Sequence, residues 1–459
     1  MERHTQLSLR EKLAFGSGNM NNLLMNNILN VLLNPVYNIA LGVSPALVGY
    51  ATAIPRLWAV TDPVVGSLSD NFRSRWGRRK PFMLVGAVIS ALSLIAIWLV
   101  PPVWGEYSKF FYLVAVSLVF YTGNTLFLVP YTGLGLALSD DYKERTNLFA
   151  YKAVVDALGG FLLPWFYWLV TRPCFESTLQ GTRVLSLGMA AWIILFTLIP
   201  LFFCRERYDA RIAKQEKVPI LKGIAESMAN RPFMLLTLAV TLMFFGFFAS
   251  SSLGMYLNIY YIFGGVEKDA SVYVGLSGTL WKLSSLAALP VIVLISRRFD
   301  KRNTFIASMV ISLCGALGGW WCINPELPWL QVIPSVLYGP GISCVLMLCD
   351  SMLADVCDVD ELEHGARREA MFGAIYGWFT KVGLTVALAL SGLLLVCTGF
   401  EVRFGADQPD GTVFLMRILA VVVPASGMVV ATLLMCGYKL NAARMAEVKA
   451  ALEKKHSSL

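Results

Sequence analysis

The sequence predicts an all-α membrane protein with twelve transmembrane helices in two bundles of six. Three observations carry that prediction. Of 459 residues, 56% are hydrophobic and only 15% are charged, and a water-soluble chain of this size has no way to cover so much apolar surface. The apolar residues come in about twelve runs, each near the roughly 20 residues a helix needs to cross the hydrocarbon. Clusters of Lys and Arg occupy alternate connectors, as helices threaded back and forth through a bilayer require.

In chain order, the first six spans are expected at 12–41, 46–68, 82–102, 109–138, 147–171 and 183–204. The second six are expected at 233–263, 271–296, 303–322, 328–353, 370–398 and 413–438. Residues 1–204 then form an N-terminal bundle, 205–232 a cytoplasmic linker, 233–440 a C-terminal bundle and 441–459 a cytoplasmic tail. Met1 to Lys12 is polar, and the apolar run behind it is too long for a signal core, so no cleavable leader is expected.

The formal net charge is +8, but its distribution argues against nucleic acid as a partner. Arg73, Arg75, Arg78, Arg79 and Lys80 fall between spans two and three, and Arg205, Arg207, Arg211, Lys214, Lys217 and Lys222 between six and seven. Arg297, Arg298, Lys301 and Arg302 follow span eight, and Arg444, Lys449, Lys454 and Lys455 follow span twelve. The opposite connectors hold isolated cations such as Lys109, Arg172, Lys268 and Arg403. The positive-inside rule therefore places both termini in the cytoplasm of a cell-membrane protein. Nine cysteines lack paired spacing, so packing is expected rather than disulfides or a metal site. The three histidines, His4, His364 and His456, all lie outside the spans. With no nucleophile, phosphate or metal motif, neither an enzyme nor a resident cofactor is expected.

Ionisable groups at membrane depth cost about 2.5–3.5 kcal/mol on insertion scales and should face the interior. Arg56, Asp62, Lys152, Asp156, Lys282, Asp350 and Lys381 occupy such positions. Lys152 and Asp156, four apart, leave one side of their helix and would neutralise each other, as a structural pair or as part of a pocket. Asp62 precedes Pro63, whose missing N–H frees a carbonyl one turn back, and a carboxylate beside it suits a proton or a monovalent cation. Asn19, Asn22, Asn26 and Asn30 form a stripe on span one that should meet a cavity or another helix, since lipid leaves amides without partners. Amides donate and accept, which suits sugar hydroxyls as well as interhelical contacts. Tyr131, Trp281, Tyr376 and Trp378 lie on spans with polar groups, where a ring face can stack on a pyranose or simply pack.

Several longer motifs carry a resemblance. RLWAVTDPVVGSLSD (Arg56 to Asp70) runs into RSRWGRRKPF (Arg73 to Phe82), NRPF (Asn230 to Phe233) opens span seven, and SMLADVCDVDELEHGARRE covers Ser351 to Glu369. Lys381 follows in span eleven, and the chain ends in YKLNAARMAEVKAALEKK. In these motifs, in order and over nearly its whole length, the chain resembles the glycoside-pentoside-hexuronide cation symporters of the major facilitator superfamily. The resemblance implies a major facilitator fold and transport of a sugar or glycoside by alternating access, driven by a proton or sodium gradient.

Residue by residue, the resemblance implies a rebuilt pocket. Of two aspartates four apart in the family's second helix, Asp62 is kept and Trp58 takes the other place. Asn22 stands near a sugar-contacting aspartate of helix one, Leu128 at its partner in helix four, and Ala153, beside Lys152, at an arginine of helix five. Thr125 and Lys381 are kept. Arg145, Asp355 and Arg367 fall where the family forms a cytoplasmic charge lock, and Asp70 is expected to pair with a cation when that side closes; the acidic run around Asp355 would otherwise serve as a solvated helix end. The site residues expected are thus Asn22, Asn26, Asn124, Thr125, Lys152, Asp156 and Tyr376 for solute, Asp62 and Lys381 for coupling, and Asp70, Arg145, Asp355 and Arg367 for gating. The expected partners are a small-molecule solute and membrane lipids, with the protein a monomer. Two other readings share the fold: a lipid-like or organic-anion cargo, and an uncoupled facilitator.

Overall fold

The computed structural model describes residues 7–138, 142–204, 227–364 and 369–457. Arg367 and most of the 205–232 linker lie outside the described residues, as do the side chains of Asp70 and Arg145. Within the described residues the chain is helical, without strands, and it divides into two compact units.

The first unit comprises Met1–Gln215 together with Glu267–Gly275. It opens with α1 (Leu9–Leu33), started by a capping box in which Ser8 and Glu11 satisfy each other's backbone N–H groups. A π-helical turn, Asn34–Ala40, follows. Then come α2 (Pro45–Leu57), α3 (Asp62–Asn71), α4 (Lys80–Trp98), α5 (Glu106–Ala137), α6 (Tyr142–Leu162), α7 (Trp165–Val170) and α8 (Thr178–Phe203).

The second unit comprises Glu216–Val266 and Leu276–Leu459. The NRPF motif is the start of α9 (Arg231–Ala249): the Asn230 side chain accepts from the Phe233 N–H at 3.0 Å, and proline sits in the first turn, where its missing N–H is no loss. It is followed by α10 (Ser251–Tyr256) with a second π-helical turn, Leu257–Ile262, then α11 (Glu267–Phe299), shared with the first unit, and α12 (Lys301–Cys322). The unit closes with α13 (Val332–His364), α14 (Glu369–Cys397), α15 (Asp410–Cys436) and the tail helix α16 (Ala442–Ser457).

Among the described residues, ten helices are long and apolar enough to cross a membrane. The other two predicted spans exist but fall short for physical reasons that bear on the site. The first carries the asparagine stripe, which lowers its hydropathy. The second is interrupted: α2 gives way at Trp58–Thr61 to a 3-10 turn, and α3 restarts at Asp62. Pro55 inside α2 and Pro63 at the restart each remove a backbone donor, so the tighter turn takes up the break.

The two units repeat each other in detail. The first span of each ends in a π-helical turn. The second span of each ends in a reversal of unusual backbone: Gly77 takes φ 104° in RWGRRK, and Asp300 takes φ 81° in SRRFDKR. Asp300 is held there because its carboxylate accepts from the Lys301 N–H and its carbonyl from the Thr304 hydroxyl. Cations then cap the exposed carbonyls of helix ends: Lys80 on Leu201, Arg183 on Trp98 and Val100, and Arg302 on Met435 and Cys436. Lys80 and Arg302 belong to the basic connectors, which thus hold helix ends in place as well as setting charge.

Close approach within each unit is made by small residues. A Cβ on Gly86 of α4 would lie 2.6 Å from the Gly123 carbonyl of α5, and one on Gly246 of α9 would lie 3.1 Å from the Gly427 Cα of α15. The second unit's core is apolar, built from Phe233, Met243, Phe305, Cys349, Met352 and Phe372, with Met445, Val448 and Leu452 of α16 folded onto it.

Candidate functional site

The first unit holds a hydrogen-bonded chain of side chains. Asn124 of α5 donates to Asn26 Oδ1 (3.0 Å), Asn26 to Asn22 Oδ1 (2.6 Å), Asn22 to Asn19 Oδ1 (3.0 Å), and Asn19 to Asp156 Oδ1 of α6 (2.9 Å). Every amide donates in the same direction, so the dipoles add and the carboxylate of Asp156 receives the end of the chain. Spacings of three and four residues on α1 put the amides one above another, which is why a single helix can carry the relay.

A second polar cluster adjoins it. Arg56 of α2 donates to Asn30 Oδ1 at 2.7 Å and to the Asn26 carbonyl at 3.4 Å, with its guanidinium 5.9 Å from the Tyr121 ring. The Nε of Arg56, the hydroxyl of Tyr121 and Oδ1 of Asn124 are buried without a hydrogen-bond partner. Unpaired buried polar atoms cost about 1–3 kcal/mol each, so three on adjoining residues are a concentration that packing alone does not account for.

Asp62, the first residue after the break in span two, accepts from the Thr125 hydroxyl at 2.9 Å. Thr125 is the neighbour of Asn124, so one turn of α5 touches both the amide relay and the carboxylate expected to handle coupling.

Lys152 of α6 keeps a charge interaction with Asp156, as their spacing suggests. Asp156, one turn on, accepts from Asn19, while the Lys152 ammonium lies 5.8 Å from the ring centroids of Tyr131 and Phe149. It is a half-buried cation on the same helix face as the relay's terminus.

Of the predicted solute residues, the structure brings Asn22, Asn26, Asn124 and Asp156 into one chain, with Thr125 beside it and Lys152 one turn away. Tyr376 belongs to the second unit, where it packs on the apolar core beside Cys349. Lys381 lies on α14, also in the second unit. Asp355 is buried and paired with Lys301 at 2.6 Å, a contact inside the second unit. Sequence reasoning placed Arg56 and Asn30 inside spans but did not join them. It missed Tyr121, and also Asn21, whose amide ties α1 to α8 through the Ile193 carbonyl and the Thr197 hydroxyl. Asn21 sits outside the stripe, and that offset was the available signal for a packing role.

The family model for MFS/sugar transport proteins matches residues 14–442. The chain belongs to that family. It is 26% identical to an uncharacterized symporter of Synechocystis sp., over 98% of this chain and 97% of the relative. It is 24% identical to a sodium-dependent lysophosphatidylcholine symporter of Danio rerio, over 84% and 79%. It is also 21% identical to a glucuronide carrier protein homolog of Escherichia coli, over 96% and 95%. Among solved structures, a D-xylose-proton symporter superposes with a TM-score of 0.63 at 13% identity, covering 91% of this chain and 96% of that one. This family member is therefore a transporter of the major facilitator superfamily and an integral membrane protein, and its resemblance to the glycoside-pentoside-hexuronide symporters is borne out.

Proposed function

We propose that this family member is a symporter of a sugar or glycoside, driven by a proton or sodium gradient, with both termini in the cytoplasm. The observation that carries the reading is the turn of α5 at Asn124–Thr125. Asn124 heads a relay of four amides, which offers donors and acceptors to a hydroxyl-rich solute. Thr125 holds Asp62, a carboxylate able to take a proton or a sodium ion. Solute and ion would therefore be sensed through one helical turn, the physical requirement for coupling. The Synechocystis relative is named a symporter, and the Escherichia coli relative a glucuronide carrier homolog.

One observation favours a second reading, in which the solute carries an anionic group. The Lys152 ammonium is half-buried and shares Asp156 with the Asn19 amide, so a carboxylate or phosphate on the cargo would meet an incompletely neutralised cation there. The sodium-dependent relatives named for lysophosphatidylcholine fit a phosphate-bearing cargo.

Uptake into proteoliposomes decides between these. The arms are a neutral methyl glycoside, the corresponding glycosyl uronate and lysophosphatidylcholine, each under an inward sodium gradient, an inward proton gradient or neither. The reading predicts accumulation of the glycoside or the uronate under one gradient. Accumulation of lysophosphatidylcholine alone overturns the sugar assignment, and equal uptake without any gradient overturns coupling.

A further inference from the structure

The π-helical turn of the second unit, Leu257–Ile262, sends two neighbouring rings to different places. Tyr260 lies parallel to Tyr256 with ring centroids 6.1 Å apart, and the two meet Phe400 at 5.2 and 5.0 Å. Tyr261 instead reaches Arg417 of α15, whose guanidinium lies 5.4 Å from its ring centroid and 4.7 Å from that of Trp320 on α12.

These rings and the first turns of α15, through Val413 and Met416, enclose a cavity of about 170 Å³. Every residue lining it belongs to the second unit. It lies at the opposite end of α15 from the carbonyls that Arg302 caps. The connector between α14 and α15 is folded against it by Gln408, which accepts from the Glu401 N–H at 3.3 Å and donates to the carbonyls of Glu401 at 2.7 Å and Gly405 at 3.1 Å. A wall held in this way is shaped before a ligand arrives. On the other side stands Gly264 at φ 58°, where a Cβ would meet nothing within 4 Å, so the cavity has a mouth there.

We infer that this cavity binds a single aromatic ring bearing one anionic oxygen group, an aryl carboxylate in the simplest case. The first argument is size. An apolar cavity of about 150 Å³ holds one benzene, so this one has room for a six-membered ring and a small substituent. The second is the chemistry of the wall. Aromatic faces and edges take another arene well. A pyranose would bring several hydroxyls that each need a partner, and the Gln408 amide is already committed to its own loop. The third is charge. The Tyr261 hydroxyl accepts from Arg417 Nη1 at 3.5 Å, so its own proton is left to donate. Arg417 also donates to the Trp320 carbonyl at 2.8 Å, and its Nε is buried without a hydrogen-bond partner. Among the described residues its partners are a carbonyl, a hydroxyl and two ring faces, none of them anionic. A negatively charged oxygen accepting from Tyr261 would be drawn by the guanidinium behind it. The site uses none of the residues assigned above to solute or ion.

The test is calorimetric titration of benzoate and of benzyl alcohol, the same ring without the charge, into the full chain purified in detergent. Benzoate should bind about tenfold more tightly than benzyl alcohol. Tyr261→Phe keeps the ring and removes the donor, and should bring the two affinities together. Val413→Phe fills the cavity and should abolish benzoate binding. Met416→Phe fills it from the next turn and takes the place of Val413→Phe if that variant fails to fold, which the unfolding midpoint without ligand will show. Absence of saturable benzoate binding, equal affinity for the two ligands in the unaltered protein, a preference unmoved by Tyr261→Phe, or benzoate binding that survives the filled cavity overturns the inference. Binding heat is read without any transport, so the result is independent of the symport reading.

Discussion

The two units share a plan and differ in what fills it. Both begin with a span that ends in a π-helical turn, and both reverse through positive-φ backbone after their second span. In the first unit, the first helix presents asparagines and is tied to its neighbours by amide bonds to Asp156, Asn124 and Thr197. In the second, the corresponding helix α9 presents Phe233, Met243 and Gly246 and is held by close packing against α14 and α15. Interhelical hydrogen bonds in membranes average only about 0.6 kcal/mol, so the polar wiring of the first unit adds little stability over apolar packing. The difference is one of wiring: amide bonds hold the first helix of the first unit, and close packing holds that of the second.

Breaking the relay should have the largest effect. Asn26→Leu removes the amide that receives Asn124 and donates to Asn22, leaving the Asn124 amide and Asn22 Oδ1 without that bond. At about 1–3 kcal/mol for each orphaned group, uptake should fall by about a hundredfold with membrane insertion unchanged, as initial uptake rates normalised to reconstituted protein will show. The matching insult to the second unit is Gly246→Val, whose side chain would press on the Val423 carbonyl and the Gly427 backbone. It should lower stability by about 1–3 kcal/mol, seen as a drop in the thermal unfolding midpoint in detergent, with ion dependence unchanged in the protein that folds.

Lys152→Met sharpens the comparison by testing selectivity alone. An anionic solute should lose about tenfold in uptake while a neutral glycoside is unaffected, measured as the ratio of the two rates. The smallest effect is expected from Asn21→Leu, which breaks a packing amide outside the relay. It should cost at most about 1.7 kcal/mol in stability and leave solute preference as it was, checked by the same unfolding and uptake assays.

The number and order of the spans were legible in the sequence because hydropathy and the spacing of basic connectors follow directly from the bilayer as solvent. The asparagine stripe was legible for the same reason, since amides avoid lipid, and its spacing on one helix fixed its register. Its direction was not. Which neighbour each amide meets depends on how α5 and α6 rotate about α1, and that is set by contacts such as Gly86 against Gly123 and Phe15 against Tyr131. Lys152 and Asp156 show the limit clearly: a spacing of four allowed the local charge interaction that exists, but did not show that Asn19 from another helix also donates to the carboxylate. Asp355 shows another, because the sequence supplies many cations and only tertiary structure selects Lys301 for it. The break in span two was half visible: the prolines announced it, but the 3-10 turn that sets where Asp62 emerges did not follow from them alone.

The central claim is that solute and ion are linked through Asn124–Thr125 and Asp62. The most direct measurement is uptake by Asp62→Asn in proteoliposomes, comparing gradient-driven accumulation with solute exchange at equal concentrations on both sides. The account predicts that exchange persists while accumulation under either a sodium or a proton gradient disappears. Gradient-driven accumulation at the rate of the unaltered protein would contradict it.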